Sequence, residues 1–376
     1  MTDSFSGYVA AHRDEILGLL VELCGINSHT GNRDGVNCVG EVVAGFLGGL
    51  GFEQQRFERQ AIGDHRLFTR AGRGKPILFS CHLDTVFPLS LGFDRCVVGD
   101  PVTTGPGVID MKGGIVVLLH TLKMLEQVGR RPPSSYSIFF SSDEETGSED
   151  ARELVERLAP GMAYGLVFEC GGAHGEVVSA RKGVGTFRID IEGKAAHAGN
   201  DYARGINANI EAAHKLIEIQ AATDLGKGTT VNVGQISGGI GANTISPSAQ
   251  LVIDVRYVVP SEAERIVATL ERAAAHEHVP GARSRLSGRI QRPVMVETDA
   301  TRAFVELVRA ASGGQVAAEH RGGVGDANFI AALGVPTLDG FGPVGGKDHT
   351  VEEHMVTQSL FDRIELLGRL LGQLDP

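Results

Sequence analysis

The sequence predicts an α/β protein. A mostly parallel sheet with helices on both faces is interrupted by a smaller β-α-β-β-α-β sandwich of the ferredoxin-like kind. Three observations carry this. Strand and helix patterns alternate from about Pro76 to Phe168, as they do in a parallel sheet. Near Ala180 the rhythm changes to alternating strands separated by two helices. After Pro293 the first rhythm returns. A chain of 376 residues accommodates two domains at roughly 100–200 residues each. The expected division is 1–180 with 293–376 for a discontinuous larger domain, and 181–292 for the insert.

Each element has its own signal. Val36, Val39, Val43, Phe46, Leu47 and Leu50 recur at helical spacing. Pro76 to Cys81 reads as a short buried strand and Gly114 to Val128 as a helix. Tyr136 to Ser141 is a strand, Ser148 to Leu158 a helix and Tyr164 to Phe168 a strand. In the insert, Val184 to Ile191 alternates as a half-exposed strand should. A helix near Asn207 to Ala221, strands near Thr229 to Ile236 and Gln250 to Val258, a helix near Ser261 to His276 and a strand near Ser284 to Ile290 complete it. Beyond it come helix Ala300 to Ala311, strand Gln315 to Glu319, helix Asp326 to Leu333, strand Val335 to Leu338 and helix Gln358 to Leu371.

Composition narrows the function. The 35 basic and 46 acidic residues give a net charge of −11, which argues against nucleic acid and anionic membranes as partners. Five widely spaced cysteines without a CxxC suit a reducing compartment. The first 20 residues lack the apolar core of a signal peptide, so a cytoplasmic protein is expected.

Several strand ends each deliver a side chain able to bind metal. His82-Leu-Asp84 follows the Pro76 strand, where open α/β sheets place their sites. Asp84 suits a role in fixing the tautomer of an imidazole. Gly105 to Gly114 presents Asp110 from a glycine-rich turn; it reads either as a helix N-cap or as a bridging metal carboxylate. Asp143-Glu144-Glu145 and Glu169 follow buried strands, and His349 lies in a late glycine-rich loop. Alone, each reads equally as a solvated loop. Together His82, Asp110, Glu145, Glu169 and His349 form an N/O donor set without thiolate, which suits a co-catalytic zinc pair.

These segments resemble the co-catalytic zinc amidohydrolases, the family of glutamate carboxypeptidases, aminoacylases, and acetylornithine and succinyl-diaminopimelate deacylases. The resemblance rests on His82-Leu-Asp84-Thr-Val-Phe-Pro88, Gly107-Val-Ile-Asp110-Met-Lys-Gly-Gly114, Asp143-Glu-Glu145-Thr-Gly147-Ser, Phe168-Glu169, Gly193-Lys-Ala-Ala-His197-Ala-Gly199 and Asp348-His349-Thr350. It implies two Zn²⁺ per subunit, with Co²⁺ or Mn²⁺ as alternatives. His82 and Glu169 would hold one ion, Glu145 and His349 the other, and Asp110 would bridge. Asp84 would orient His82, and Glu144 would be the general base. The resemblance makes the insert a lid and dimerisation domain, whose His197 reaches the partner's active site in a homodimer. Arg256 resembles the residue that grips a substrate carboxylate, and Asn243 a polar lid residue beside it. Gly345 and Gly346 are further candidate substrate contacts. Arg321 or His320 takes the basic place before the late glycine-rich loop.

The expected activity is hydrolysis of an amide beside a free carboxylate, on a small peptide or an N-acyl-amino acid. The alternative within the class is a di- or tripeptide aminopeptidase. A metal-assisted phosphodiesterase would want a basic groove, and a non-catalytic metal-binding scaffold would have no need of Glu144. Outside the site, His120 and His214 read as structural. His276 and His278 stand two apart, which one helix face cannot present together.

Overall fold

The computed structural model describes residues 4–374. They form two compact units. One runs from the N-terminal side to Ala180 and takes in Glu297–Arg321 and the chain from Gly325 onward; the other comprises Arg181–Val296 with Gly322–Val324.

The larger unit is built on a six-stranded sheet. Its strands lie in the order Glu53–Phe57, His65–Arg70, Ser134–Ser141, Arg73–His82, Tyr164–Val167 and Thr337–Leu338. The first two pairings are antiparallel and the other three parallel. The apolar runs Ile77–Phe79 and Ile138–Phe140 are fully buried, as the central strands of a covered parallel sheet should be. Helix Lys112–Gln127 is buried along almost its whole length and packs against helix Thr357–Leu371. Its apolar residues face protein on every side, so it reads as a continuous hydrophobic run.

Strand direction positions the chemistry. Strands ending at His82, Ser141, Val167 and Leu338 run parallel, so their carboxyl ends lie along one edge. His82 is level with Ser141, and Ser80 with Val167. A separate three-stranded sheet joins two distant loops. Strand His354–Val356 pairs with Val102–Thr104 on one side and Gly345–Gly346 on the other.

The second unit is a four-stranded antiparallel sheet in the order Arg283–Arg292, Gly183–Glu192, Ser248–Tyr257, Thr230–Gly238. Helices Ala208–Gln220 and Pro260–Ala275 supply one side of its core, packing Ala208, Ala212, Ile219, Ile266 and Leu270 on Ile189, Leu251 and Ile253. Chain order is β-α-β-β-α-β, and the sheet order is fourth, first, third, second strand, as the ferredoxin-like pattern requires.

Two expectations need correction. Strand Gln315 to Glu319 is observed at Ala318–Arg321 and pairs with Val177–Arg181 outside the main sheet. The residue capping helix Lys112–Gln127 is Met111, not Asp110, so the Asp110 carboxylate is left for another task.

Candidate metal centre

Asp110 lies at the middle of the cluster. Its Oδ1 is 3.0 Å from His82 Nε2, and its Oδ2 is 3.1 Å from His349 Nε2. Glu169 Oε1 is 3.6 Å from His82 Nε2, and Glu145 Oε2 is 3.2 Å from His349 Nε2. One carboxylate thus faces two histidines, each with its own second carboxylate. All five residues belong to the larger unit.

The neighbouring backbone explains the convergence. His82 and Glu169 come from adjacent strand ends. Pairing of His354–Val356 with both Val102–Thr104 and Gly345–Gly346 draws the loops bearing Asp110 and His349 together. His349 holds a left-handed backbone at φ 61, a conformation unusual for a non-glycine residue and often found at functional sites. Glu353, which the sequence reading passed over, is wholly buried and accepts from Gly107 N (3.0 Å), Ile109 N (2.9 Å) and Asp110 N (3.2 Å). Asp339 likewise accepts from Glu169 N at 3.3 Å. No local sequence pattern announces either residue, because each satisfies donors far away along the chain.

Asp84 meets His82 chiefly through its backbone. His82 Nδ1 lies 2.9 Å from the Asp84 carbonyl and 3.5 Å from its carboxylate, so the backbone oxygen makes the closer contact. The carboxylate instead accepts from Thr30 Oγ1 (2.6 Å), Glu144 N (3.2 Å) and Glu145 N (3.3 Å). It therefore ties the Glu144–Glu145 turn to the His82 strand.

The electrostatics call for cations. Burial, then repulsion from Asp110, pushes Glu145 up to about 8 and raises Glu169 well above the carboxylate range. Burial disfavours charge on Asp110 as well, yet its bonds to His349 and His82 hold it below that range. Asp110 and Glu145 push His349 up to about 11. Without metal, protons supply the positive charge that this cluster requires. Glu145 Oε1 is buried with no hydrogen-bond partner, an orphaned acceptor of the kind that a cation satisfies. Three carboxylates and two imidazoles suit borderline divalent ions, and two such ions would offset the three negative charges. Asp348 also lies near Asp110 and His349, its donor within 4.8 Å of theirs. It is exposed, however, whereas the Glu145 side chain is 4% exposed and bears the orphaned oxygen, so Glu145 is the better fit.

The other candidates separate. Arg321 donates from Nε to Glu319 and from Nη1 to the Cys170 carbonyl (2.8 Å), beside Glu169. His320 pairs with Glu297. A Cβ on Gly345 would fall 2.0 Å from the His354 carbonyl, so strand pairing there demands glycine; Gly346 has ordinary clearance.

His197, Asn243 and Arg256 belong to the second unit. His197 bridges to Thr244, and Ala198 N donates to the Asn243 carbonyl. His197 Nδ1 accepts from Gly199 N and Asn200 N, both at 3.1 Å, which leaves the proton of the neutral ring on Nε2. Arg256 does not lie beside Asn243 in the chain's own sheet, contrary to expectation. His197 follows the strand end at Glu192, which pairs with Ser248, whereas Arg256 is eight residues further along and pairs with Val184. At about 3.3 Å per residue, the two ends are about 26 Å apart.

Residues 78–373 match the model of peptidase family M20/M25/M40, and the chain belongs to that family. It is 30% identical over 370 residues to carboxypeptidase G2 of Pseudomonas sp. (strain RS-16), covering 96% of this chain and 89% of that one. Its fold is similar to that of the aminopeptidase PepT from Bacillus cereus (TM-score 0.79, 23% identity, 96% and 98% covered). It is also similar to a dinuclear metal-binding M20 peptidase of Bacillus subtilis (TM-score 0.70, 17% identity, 96% and 98% covered). Membership makes the protein a metal-dependent amidohydrolase. Among the described residues, no helix is long and apolar enough to cross a membrane.

Proposed function

We propose that this protein hydrolyses an amide bond next to a free carboxylate, in a small peptide or an N-acyl-amino acid, using two zinc ions per subunit. The observation that carries the reading is the divided Asp110 carboxylate, with one histidine and one further carboxylate on each side. His82 and Glu169 would hold one ion, Glu145 and His349 the other, with Asp110 between them. Zinc, when bound, lowers the pKa of water and polarises the scissile carbonyl. Glu144 takes the water's proton and delivers it to the leaving nitrogen. Its turn is fixed by the bond from Glu144 N to Asp84. His197 donates from Nε2 to the developing oxyanion, in keeping with its tautomer. Arg256 grips the free carboxylate, and Asn243 supports the substrate from the His197 loop.

A homodimer is supported by the placement of Arg256 eight residues, about 26 Å of strand, from the end that His197 and Asn243 follow. In that reading one subunit supplies the His197–Asn243 end and the other the Arg256 end. The similarity to a carboxypeptidase supports the demand for a carboxylate. Five free cysteines, two of them buried, suit a cytoplasmic setting.

The test is a hydrolysis screen with added Zn²⁺ on N-acyl-amino acids, peptides ending in glutamate and free-amine dipeptides. The reading expects turnover of substrates with a carboxylate beside the amide. Glu144→Ala should lower kcat by roughly 10²–10⁴-fold while keeping its metal. Near-normal kcat in that variant, or turnover of free-amine dipeptides alone, would overturn it.

A further inference from the structure

The second unit gathers histidines that sequence spacing had set apart. Helix Pro260–Ala275 stops one residue before His276, whose backbone is extended at φ −74 and ψ 120. The rule for one helix face therefore does not apply, and His276 and His278 both turn toward Glu218 on helix Ala208–Gln220. Glu218 Oε2 is 3.3 Å from His278 Nε2 and 3.6 Å from His276 Nδ1. All three donors lie within 4.8 Å of one another. A tetrahedral ion with bonds of about 2.0–2.2 Å holds neighbouring donors about 3.3–3.6 Å apart. Both measured edges match that spacing. His214 sits four residues before Glu218 on the same helix face, and its ring stacks on His278 with centroids 4.9 Å apart.

The backbone carrying these groups is fixed in advance. Lys215 and Glu211 form a buried ion pair at 2.9 Å. Lys215 Nζ also donates to the carbonyls of Ala273 (2.5 Å), Ala274 (3.2 Å) and His276 (2.6 Å). Glu211 Oε2 accepts from His278 N at 3.0 Å and Val279 N at 2.6 Å. The pair clamps the end of one helix and the following turn onto the other helix. Little ordering is left for an ion to impose, which favours binding.

We propose that Glu218, His276 and His278 form a further metal site, separate from the Asp110 cluster, for a divalent transition ion of the zinc class. His214, stacked on His278, places a further imidazole beside the group. Two imidazoles and one carboxylate select zinc, cobalt, nickel or copper over magnesium and calcium, which want oxygen donors. The ion would clip helix Ala208–Gln220 to the turn after helix Pro260–Ala275.

The experiment compares three full-length proteins: wild type, His276→Ala/His278→Ala and Glu218→Gln. Each is dialysed against the same zinc buffer, desalted and assayed for zinc per chain. The proposal expects each variant to carry one zinc fewer than wild type, with unchanged circular dichroism and unchanged hydrolytic rate. Because the readout is a difference, it does not depend on how many ions the Asp110 cluster holds. Glu218→Gln keeps the shape of the side chain and guards against a folding defect in the double variant. Equal zinc content in all three proteins would overturn the site, leaving a plain histidine–glutamate hydrogen bond.

Discussion

Replacing Glu353 by alanine strikes the support of the metal cluster without touching a proposed ligand. The Glu353 side chain is the acceptor for the N–H groups of Gly107, Ile109 and Asp110. All three bonds lie in or near the buried core. Stranding one buried donor costs about 1–3 kcal/mol, so three would cost about 3–9 kcal/mol if none found water. Water entering the vacated space recovers part of this, so a loss of about 3 kcal/mol, the low end of that range, is expected. Glu353→Gln keeps one oxygen for Ile109 and Asp110 and strands only Gly107, so it should cost less than half as much. Burial pushes the Glu353 carboxyl up to about 7, and glutamine also removes that penalty for a buried charge. Release of the Asp110 loop should weaken zinc binding by about 10–100-fold in the alanine variant, as losses behind a metal ligand commonly do. Urea unfolding of the metal-free proteins gives the stability, and competition dialysis gives the affinity. If Glu353→Ala unfolds within about 1 kcal/mol of wild type and binds zinc equally well, the claim that Glu353 positions Asp110 is refuted.

Two further predictions use other parts of the chain. Mixing His197→Ala with Glu144→Ala subunits, each inactive alone, should restore partial activity once chains exchange; verified heterodimers without rescue would contradict catalysis across subunits. Burial pulls His120 down to about 4 in the folded chain, against about 6.5 when unfolded. The unfolded chain therefore takes up a proton first as pH falls, and stability should drop between pH 6.5 and 4 by ~3 kcal/mol in all. His120→Leu should flatten that stretch of the stability profile, and an unchanged slope would count against it.

The fold was largely legible because its core strands are apolar runs and its insert alternates cleanly. Strand Glu53–Phe57 escaped notice because its five residues carry charge and amides and are largely exposed. Strand His65–Arg70 escaped because it buries Arg66, which pairs with Glu41 at 2.7 Å, against the usual apolar signal. The five side chains that gather at Asp110 are legible in the sequence because each follows a strand or sits in a glycine-rich turn. Glu353 was not, since its partners lie more than 240 residues earlier in the chain. Neither was the separation of Asn243 from Arg256, which depends on strand pairing and not on their 13-residue spacing. His276 and His278 come together because both lie beyond the end of helix Pro260–Ala275, where no helix-face rule governs them.

The central claim is that Asp110 lies between two metal ions. Anomalous diffraction at the zinc absorption edge, from crystals of zinc-equilibrated protein, tests it most directly. The account predicts two peaks flanking Asp110, one against His82 and Glu169 and the other against Glu145 and His349. A single peak there, or none, would contradict it.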